Sequence, residues 1–350
     1  MKRQSNILIL FLLIILLLIG SGYLYAENLP KVTISNSIAG DWRPFSDDSP
    51  WNTEISTEAQ VHEDSDLIIS AILNEATYIR FAEEYIIPVW VVDSSTITSV
   101  KVNGSNMFDR WDTNRDGWTD VGAPVTRQMW TEPTEDSHLC VIDLDKNMAW
   151  DFSAFKWQST SKYPTTSTFN IWQLTSTGVG NPDAGFEWHA QGSRGSGFPL
   201  IAGLIRPEEL NTGEIRHALI FTFTKNRRAD SKGSIFLPPA CRSDGKYTGN
   251  KYPIEGMRFQ LDPSLTENDL TRLGLSREGK IVARALQKYG MFLGDNGGAM
   301  ALQMQLLGAT KTENKAKWES LFPGFYDNIQ NIPVSKFRVI YTGEPIIKYD

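Results

Sequence analysis

Short apolar runs of the β-strand type follow one another along most of the chain after residue 85. Residues 86–92 and 139–142 are rich in β-branched and aromatic side chains, and each run ends in polar or turn-forming residues. Further runs are separated by clusters of Gly, Asp, Asn and Pro, and they lie at residues 149–157, 169–174, 218–224, 235–238, 257–261 and 337–341. Short strands joined by turn sequences predict a mainly β protein with a β-sandwich or jelly-roll-like domain.

Helical patterns are few. In residues 62–79 the apolar positions fall three to four apart and form one stripe, which predicts a helix packed against the core. Residues 276–289 have the strongest helical pattern, with Ser276 as the N-cap and Gly290 as the stop. A single helical turn is predicted from Pro207, because Pro and two acids favour a first turn.

The first 26 residues have the plan of an export signal. Lys2 and Arg3 precede thirteen unbroken apolar residues at 7–19, and small residues follow towards Ala26. If the segment is not cleaved, residues 7–25 are long enough to anchor the chain, because about 20 apolar residues cross the hydrocarbon layer. The positive-inside bias sends the remainder outwards in either case. We therefore predict an extracellular or cell-surface protein that contacts a membrane only through this segment, if it is retained.

Composition and charge narrow the class of partner. The formal net charge is -7 and no run of Lys and Arg interrupts it, which argues against nucleic acid and anionic membrane surfaces. The 17 Phe, 11 Tyr and 11 Trp residues supply apolar bulk for a large core. We expect an extended lead-in over residues 27–52 and a single β-rich globular domain over residues 53–350. Cys140 and Cys241 either form a disulfide outside the cytoplasm or remain two buried free thiols.

One candidate catalytic site combines a histidine with an arginine where a strand begins. Arg216 and His217 directly precede the strand predicted at 218–224. An imidazole can act as a base near neutral pH while a guanidinium neutralises a carboxylate, which is the chemistry of a polysaccharide lyase. In that case His217 or Tyr289 would be the base or acid, and Arg216 or Arg194 the neutralising cation. The alternative for His217 is a hydrogen-bonded core histidine.

A glycine-rich stretch at residues 191–197 follows Trp188 and His189. It brings backbone groups, the Arg194 cation and two hydroxyls close to whatever it faces, so Trp188, His189 and Arg194 are candidate substrate-binding residues. The stretch is not a dinucleotide-binding fingerprint, because no strand-to-helix unit surrounds it. Aromatic side chains on a β-sandwich commonly bind sugars, but most of the tryptophans are expected in the core, and His189 is equally explained as a core residue.

Paired carboxylates are the second catalytic option. Glycoside hydrolysis needs an acid and a base or nucleophile, ~5–5.5 Å or ~6.5–9.5 Å apart. The candidates are Asp244, Glu255, Asp262 and Asp295, of which two among Asp244, Glu255 and Asp295 would do the work. Asp244 and Asp295 stand in turn-like sequences, and residues 295–298 predict a turn with positive φ. Glu255 directly precedes a glycine and a predicted strand and is less easily explained as a turn residue.

A calcium-like loop provides the only cofactor prediction. Asp112, Asn114, Asp116 and Asp120 occupy positions one, three, five and nine of such a loop, and a glycine stands at position six. Ala123 stands where the closing carboxylate belongs, so the second half of the pattern is missing. A partial calcium site and a polar surface loop therefore both remain open.

Several segments are similar to those of a group of secreted bacterial β-rich proteins. They are SPWN at 49–52, GFPLIAGLIR at 197–206, IRHAL at 215–219, ALQKYG at 285–290 and DNGG at 295–298. The likeness covers most of the chain after residue 45, and residues 107–120 look like an addition to it. The resemblance implies an exported bacterial domain and brings no activity with it.

The leading hypothesis is an exported carbohydrate-active protein that acts on an extracellular polysaccharide as a lyase or glycoside hydrolase. The alternative is a non-enzymatic cell-surface or carbohydrate-binding protein. Convergence of titratable groups in one pocket would distinguish an enzyme from a scaffold. A third hypothesis, a peptidase or esterase, lacks support because the chain contains no nucleophile elbow and no HExxH segment.

Overall fold

The computed structural model describes residues 38–104, 111–180, 192–230 and 233–349. Strands hold more of these residues than helices do, which agrees with a β-rich protein. The described strands are β1 Arg80–Phe81, β2 Ile87–Val91, β3 Asn103–Gly104, β4 Leu139–Asp143, β5 Met148–Ser153, β6 Thr165–Thr166, β7 Thr168–Gln173, β8 Leu219–Phe223, β9 Ser234–Phe236, β10 Arg258–Leu261, β11 Met291–Asn296, β12 Ala301–Leu302, β13 Gln305–Leu306, β14 Phe337–Ile340 and β15 Ile346–Lys348.

The described helices are short and lie mainly in the second half of the chain. They are α1 Ser65–Leu73, α2 Pro207–Thr212, α3 Glu267–Arg272, α4 Arg277–Lys288, α5 Lys311–Leu321 and α6 Phe325–Asn328, with 3-10 turns at Ile329–Asn331 and Val334–Lys336. The sequence pattern predicted α1, α2 and α4 but neither α3 nor α5. At the start of α4, the Ser276 side chain accepts a hydrogen bond from Gly279 N, as its N-cap position predicts.

Two large sheets organise the strands. One has six strands in the order β1-β12-β8-β11-β10-β14, and the other has five in the order β13-β2-β4-β5-β7. Both sheets are mixed, because β8 pairs with β11 and β2 with β4 in parallel, while β10 pairs with β11 and β4 with β5 antiparallel. The parallel pairs depart from the antiparallel ladders of a jelly roll.

Apolar side chains from both sheets meet in one core cluster. Val89 of β2 and Ile220 of β8 belong to it together with Trp51, which is 1% exposed. The Trp51 ring makes edge contacts with Phe198 at 4.7 Å and with Phe292 at 5.0 Å between centroids. The predicted lead-in therefore contributes a central aromatic side chain to the core.

Strand β11 is irregular where it pairs with β8. The pairing register shifts between Leu293 and Asp295, which leaves Gly294 as an extra residue in β11. Such a bulge bends a strand and changes the direction of its side chains. The strand then continues to Asn296, and the two glycines after it do not take positive φ. The turn with positive φ that the sequence predicted at residues 295–298 is therefore wrong.

Two predictions about the environment of the chain have different outcomes. Cys140 and Cys241 are both buried free thiols, so the disulfide alternative is not what the structure contains. The predicted export signal or anchor lies outside the described residues. Within the ranges that the structure describes, no helix is long and apolar enough to cross a membrane.

Candidate functional site

A cleft of about 770 Å³ opens between the end of β11 and the segment that follows β1. This volume lies within the ~300–1,000 Å³ typical of small-molecule sites. Its walls are predominantly polar and charged, and they include Arg80, Phe81, Glu83, Glu84, Tyr85, Asp136, His138, Arg194, Thr222, Asp244, Lys246, Asp295, Asn296 and Gln303. The cleft brings together titratable groups from segments that are far apart in sequence.

The carboxylates of Asp244 and Asp295 lie close together on this wall, beside Gly195. A Cβ added to Gly195 would lie 2.6 Å from Asp244 Oδ1 and 2.9 Å from Asp295 Oδ1. The distance between the two oxygens therefore cannot exceed the sum of these two distances. That limit is shorter than the ~6.5–9.5 Å of inverting glycosidases and is compatible with the ~5–5.5 Å of retaining enzymes. Two of the carboxylates that the sequence suggested for hydrolysis thus converge.

Asp295 is positioned by the bulge in β11 and by the glycine-rich loop. The Gly195 N–H donates a hydrogen bond to Asp295 Oδ2 at 3.2 Å. Burial and the negative charge of Asp244, against a smaller opposing effect of Arg194, raise the pKa of Asp295 to about 7. At neutral pH a substantial fraction of this carboxyl therefore retains its proton.

Asp244 is held by the residue next to Asp295. The Asn296 side chain donates hydrogen bonds to Asp244 Oδ1 at 2.5 Å and to the Asp244 carbonyl at 3.0 Å. The end of β11 therefore supplies one carboxyl group and also the amide that orients the other. A carboxylate that accepts such a bond keeps a fixed direction relative to its neighbour.

Hydrogen bonds hold the loop at residues 192–197 next to the two carboxylates. Ser196 donates to the Gly294 carbonyl through its backbone N–H at 3.2 Å and its hydroxyl at 2.6 Å. The Arg242 guanidinium donates to the carbonyls of Arg194 at 2.6 Å and Gly195 at 3.2 Å. The extra carbonyl of the bulge and one buried cation thus fix the glycine-rich loop that the sequence singled out.

Arg194 places a cation at the floor of the cleft. The residue is 1% exposed, its Nη1 donates to Gln303 and its Nη2 donates to the Leu200 carbonyl at 3.1 Å. Burial lowers the pKa of Arg194 to about 10, while Asp295 and Asp151 oppose that change, so it remains charged at neutral pH. Its Nε makes no hydrogen bond to the part of the chain that the structure describes.

Glu255 is buried behind the cleft and is 0% exposed. Its Oε1 accepts a hydrogen bond from Asn226 at 2.9 Å, and its Oε2 accepts a long one from Asp244 N at 3.4 Å. Burial, followed by the charge of Asp244, raises the pKa of Glu255 well above its ordinary value. Of the three carboxylates that the sequence proposed for hydrolysis, Glu255 is the one that does not line the cleft.

Sequence reasoning missed His138, which lines the cleft and is 5% exposed. Burial and the nearby Arg194 charge together lower the pKa of His138 to about 3, so its ring is neutral. His138 Nδ1 lies 3.7 Å from Glu132 Oε1, but burial raises the pKa of Glu132, and the two do not form an ion pair at neutral pH. No local motif marks His138, because its place in the cleft depends on the tertiary fold.

Of the residues proposed for lyase chemistry, Arg194 lines the cleft, but the candidate bases His217 and Tyr289 do not. His217 is buried, with Nδ1 2.9 Å from the Ala218 carbonyl and Nε2 2.9 Å from Glu209 Oε1. Arg206 Nη2 donates to the same Glu209 oxygen at 2.6 Å, so the acid is shared by two partners. Both ring nitrogens of His217 are engaged, as expected of a core histidine.

Arg216 and Tyr289 do not join the cleft either. The exposed Arg216 guanidinium donates to the Asp41 carbonyl. Tyr289 is 3% exposed and packs in the core cluster, with its hydroxyl 3.5 Å from Glu54 Oε1. The geometry of these residues gives the lyase assignment no support. The remaining substrate-binding candidates, Trp188 and His189, lie outside the described residues.

The calcium-like loop is closed by its own backbone. Asp112 accepts hydrogen bonds from the N–H groups of Asp116 and Gly117, both at 2.9 Å. Asp120 Oδ2 accepts from Thr113 N at 2.9 Å. Asn114 donates to Asp116 Oδ2 at 3.2 Å. Among the described residues, no group of three or more His, Cys, Asp or Glu side chains is arranged to hold a metal ion.

Comparison with known proteins leaves the cleft as the basis for assigning a function. No protein-family model matches this chain, and neither a curated protein nor a solved structure matches it.

Proposed function

We propose that this protein is a glycoside hydrolase that acts on an extracellular polysaccharide, with Asp244 and Asp295 as its catalytic pair. The observation that carries the proposal is the close approach of these two carboxylates in one polar cleft, on either side of Gly195. Glycosidases place a pair of carboxyl groups around the scissile bond in this way.

The environments of the two carboxyl groups suggest their roles. Asp295, whose pKa is raised to about 7, is the general acid that protonates the leaving oxygen. Asp244 accepts a hydrogen bond from Asn296 and acts as the nucleophile. Because their oxygens are too close to hold a water molecule between them in the inverting arrangement, the proposal includes retention of anomeric configuration.

The groups around the pair suit a carbohydrate better than an apolar ligand. The walls present hydroxyl-binding side chains such as Asn296, Gln303 and Lys246, while Phe81 and Tyr85 provide aromatic surface. The Arg194 cation also lines the cleft. A ligand rich in hydroxyl groups would satisfy these donors and acceptors.

Export and architecture belong to the same proposal. Export is supported by the basic start and the apolar run at residues 7–19. A sandwich arrangement of the two large sheets is supported by the core cluster to which both contribute side chains, such as Val89 and Ile220.

Purified protein should be tested against a panel of neutral and uronic-acid polysaccharides. We expect release of reducing ends without a gain of absorbance near 235 nm, and a first product that retains its anomeric configuration in a proton NMR time course. Asp244→Asn and Asp295→Asn should each lower kcat by about 10²–10⁴-fold, because each removes one member of the pair. Asp48→Asn, at an exposed carboxylate, is the matched control.

Other outcomes would separate the alternatives. An ultraviolet gain would identify an eliminating enzyme and overturn the hydrolase proposal. Binding without turnover would instead favour the second candidate, a non-enzymatic carbohydrate-binding protein. A specific observation favours that candidate, because the half-buried Trp118 ring meets Tyr163 edge-on at 5.2 Å and offers an aromatic surface outside the cleft.

A further inference from the structure

The Glu255 side chain is fixed by the backbone on which it stands. The backbone carbonyl of Glu255 accepts a hydrogen bond from Leu237 N at 2.9 Å, and Glu255 forms a parallel β-bridge with Phe236. The next residue, Gly256, has a φ of 92°, and a Cβ there would lie 1.7 Å from the Leu237 carbonyl oxygen. Only glycine fits at that position. The carboxyl group therefore has little freedom to move.

Asn226 connects Glu255 to the loop that carries Asp244. The Asn226 side chain donates to Glu255 Oε1 at 2.9 Å. The backbone carbonyl of Asn226 accepts hydrogen bonds from Lys246 N at 2.9 Å and Tyr247 N at 3.0 Å. Glu255 accepts from Asp244 N at the other end of the same short loop. The loop is thus held at both ends by one buried pair.

The charges around Glu255 oppose its ionisation. The carboxylates of Asp244 and Asp295 both add to the raised pKa of Glu255, whose Oε2 lies 3.4 Å from Asp244 N. The Arg242 guanidinium, whose charge interacts with that of Glu255, donates to the carbonyls of Arg194 and Gly195. A buried carboxylate with carboxylate neighbours is strongly unfavourable, whereas the neutral acid avoids that repulsion.

We infer that Glu255 is a positioning residue that acts with Asn226 to hold Asp244 in the cleft. This role rests on the proposed function of Asp244, because a loop that carried no reacting group would need no such alignment. Glu255 itself does not reach the cleft and forms no bond to substrate. Its effect on hydrolysis passes through the direction of the Asp244 carboxylate.

The charge state is tested by the thermal midpoints of the full protein and Glu255→Gln between pH 4 and 8. Unfolded Glu255 ionises above its ordinary pKa of about 4.3, while the folded acid keeps its proton, so the wild-type protein loses stability as pH rises. Gln has the same shape and cannot ionise. We expect the midpoint of Glu255→Gln relative to wild type to rise with pH, by on the order of 3 °C across this range.

The exposed Glu63→Gln variant is the control for the loss of one acid. A relative midpoint of Glu255→Gln that stays constant or falls with pH would show that Glu255 is ionised in the folded protein and would overturn the inference. This comparison needs no substrate, so it decides the charge state of Glu255 even if the polysaccharide panel shows no hydrolysis.

The positioning role is tested by kinetics on a polysaccharide that the wild-type protein hydrolyses. Glu255→Gln should keep kcat within about threefold of wild type, since the Gln carbonyl oxygen can still accept from Asp244 N and the side chain stays neutral, whereas a catalytic acid would lose about 10²–10⁴-fold. Glu255→Ala, assayed well below its own midpoint, should lose kcat at least tenfold with a smaller change in KM. If Glu255→Ala merely melts earlier with unchanged kcat, or Glu255→Gln is as impaired as Asp244→Asn, the role is wrong.

Discussion

Asp295 and Asn296 are sequence neighbours with different tasks in the cleft. Asp295 has a carboxyl group whose pKa is raised to about 7, and Asn296 uses its amide to orient Asp244. An amide cannot ionise, so it fixes the second carboxylate without adding charge. The pair of residues thereby creates two unlike environments for two chemically identical groups.

The pH dependence of hydrolysis follows from the Asp295 environment. If Asp295 is the general acid, as proposed, it must be protonated, so kcat/KM should fall as pH rises through about 7. The decline should be about tenfold per pH unit above that value, because a single proton is lost. A pH–rate profile between 5 and 9 measures it, and a rate that stays constant up to pH 9 would contradict the assignment.

At the scale of elements, the glycine-rich loop and the bulge of β11 form one unit. The Gly294 carbonyl is available because an extra residue interrupts the ladder, and Ser196 uses that carbonyl twice. The loop consequently reaches the carboxylates only where the strand departs from regular pairing. This is the kind of position at which bulges are enriched near functional sites.

Ser196→Ala tests this coupling. The buried hydroxyl donates to Gly294 at 2.6 Å, and its removal should lower the free energy of unfolding by about 1 kcal/mol. Hydrolysis should fall several-fold as well, because Gly195 then holds Asp295 less firmly. Urea unfolding and the polysaccharide assay measure the two effects. The exposed Ser159→Ala variant is the control, and an unchanged rate in Ser196→Ala would show that the loop is not coupled to the site.

At the scale of the whole molecule, the segment before the first helix is part of the core. The Trp51 carbonyl accepts a hydrogen bond from Ala218 N at 2.7 Å, and its ring packs against Phe198 and Phe292. The Asn52 amide donates to carbonyls of the preceding residues, Pro44 at 2.8 Å and Ser46 at 3.0 Å. The SPWN segment thus closes the lead-in onto the sheet that carries the cleft.

Trp51→Ala should therefore be strongly destabilising. Truncating a fully buried large aromatic residue lowers the free energy of unfolding by about 3–5 kcal/mol, and Trp51→Phe should cost less because part of the volume remains. Urea unfolding of both variants measures the difference. A loss below about 1 kcal/mol for Trp51→Ala would mean that the lead-in lies on the surface, as a draped segment would.

The sequence predicted the parts of this fold that have a local signal. The strands β2, β4 and β8 are mostly apolar, and α4 has both a stripe and a cap. Helix α5 was missed because most of its residues are polar and exposed, with Trp318 as its large buried side chain. Such a helix has no apolar period that a sequence pattern could reveal.

The candidate site was predictable as a set of residues but not as an arrangement. Asp244, Glu255 and Asp295 were suggested by residue type, because hydrolysis needs carboxyl groups. Their separation into two cleft groups and one buried acid depends on contacts between segments that no local spacing records. His217 had the more suggestive neighbours in sequence, yet Glu209 engages it in the core.

The extra residue in β11 also bears on how this protein tolerates changes in length. Deleting Gly294 would restore an uninterrupted ladder with β8, so a variant one residue shorter could keep every strand in its place. It would nevertheless lose the carbonyl to which Ser196 is fastened. A homologue without this residue would then have the more regular sheet but would lack the proposed arrangement of the cleft. A one-residue gap at this point in an alignment would therefore mark a change of function rather than of fold.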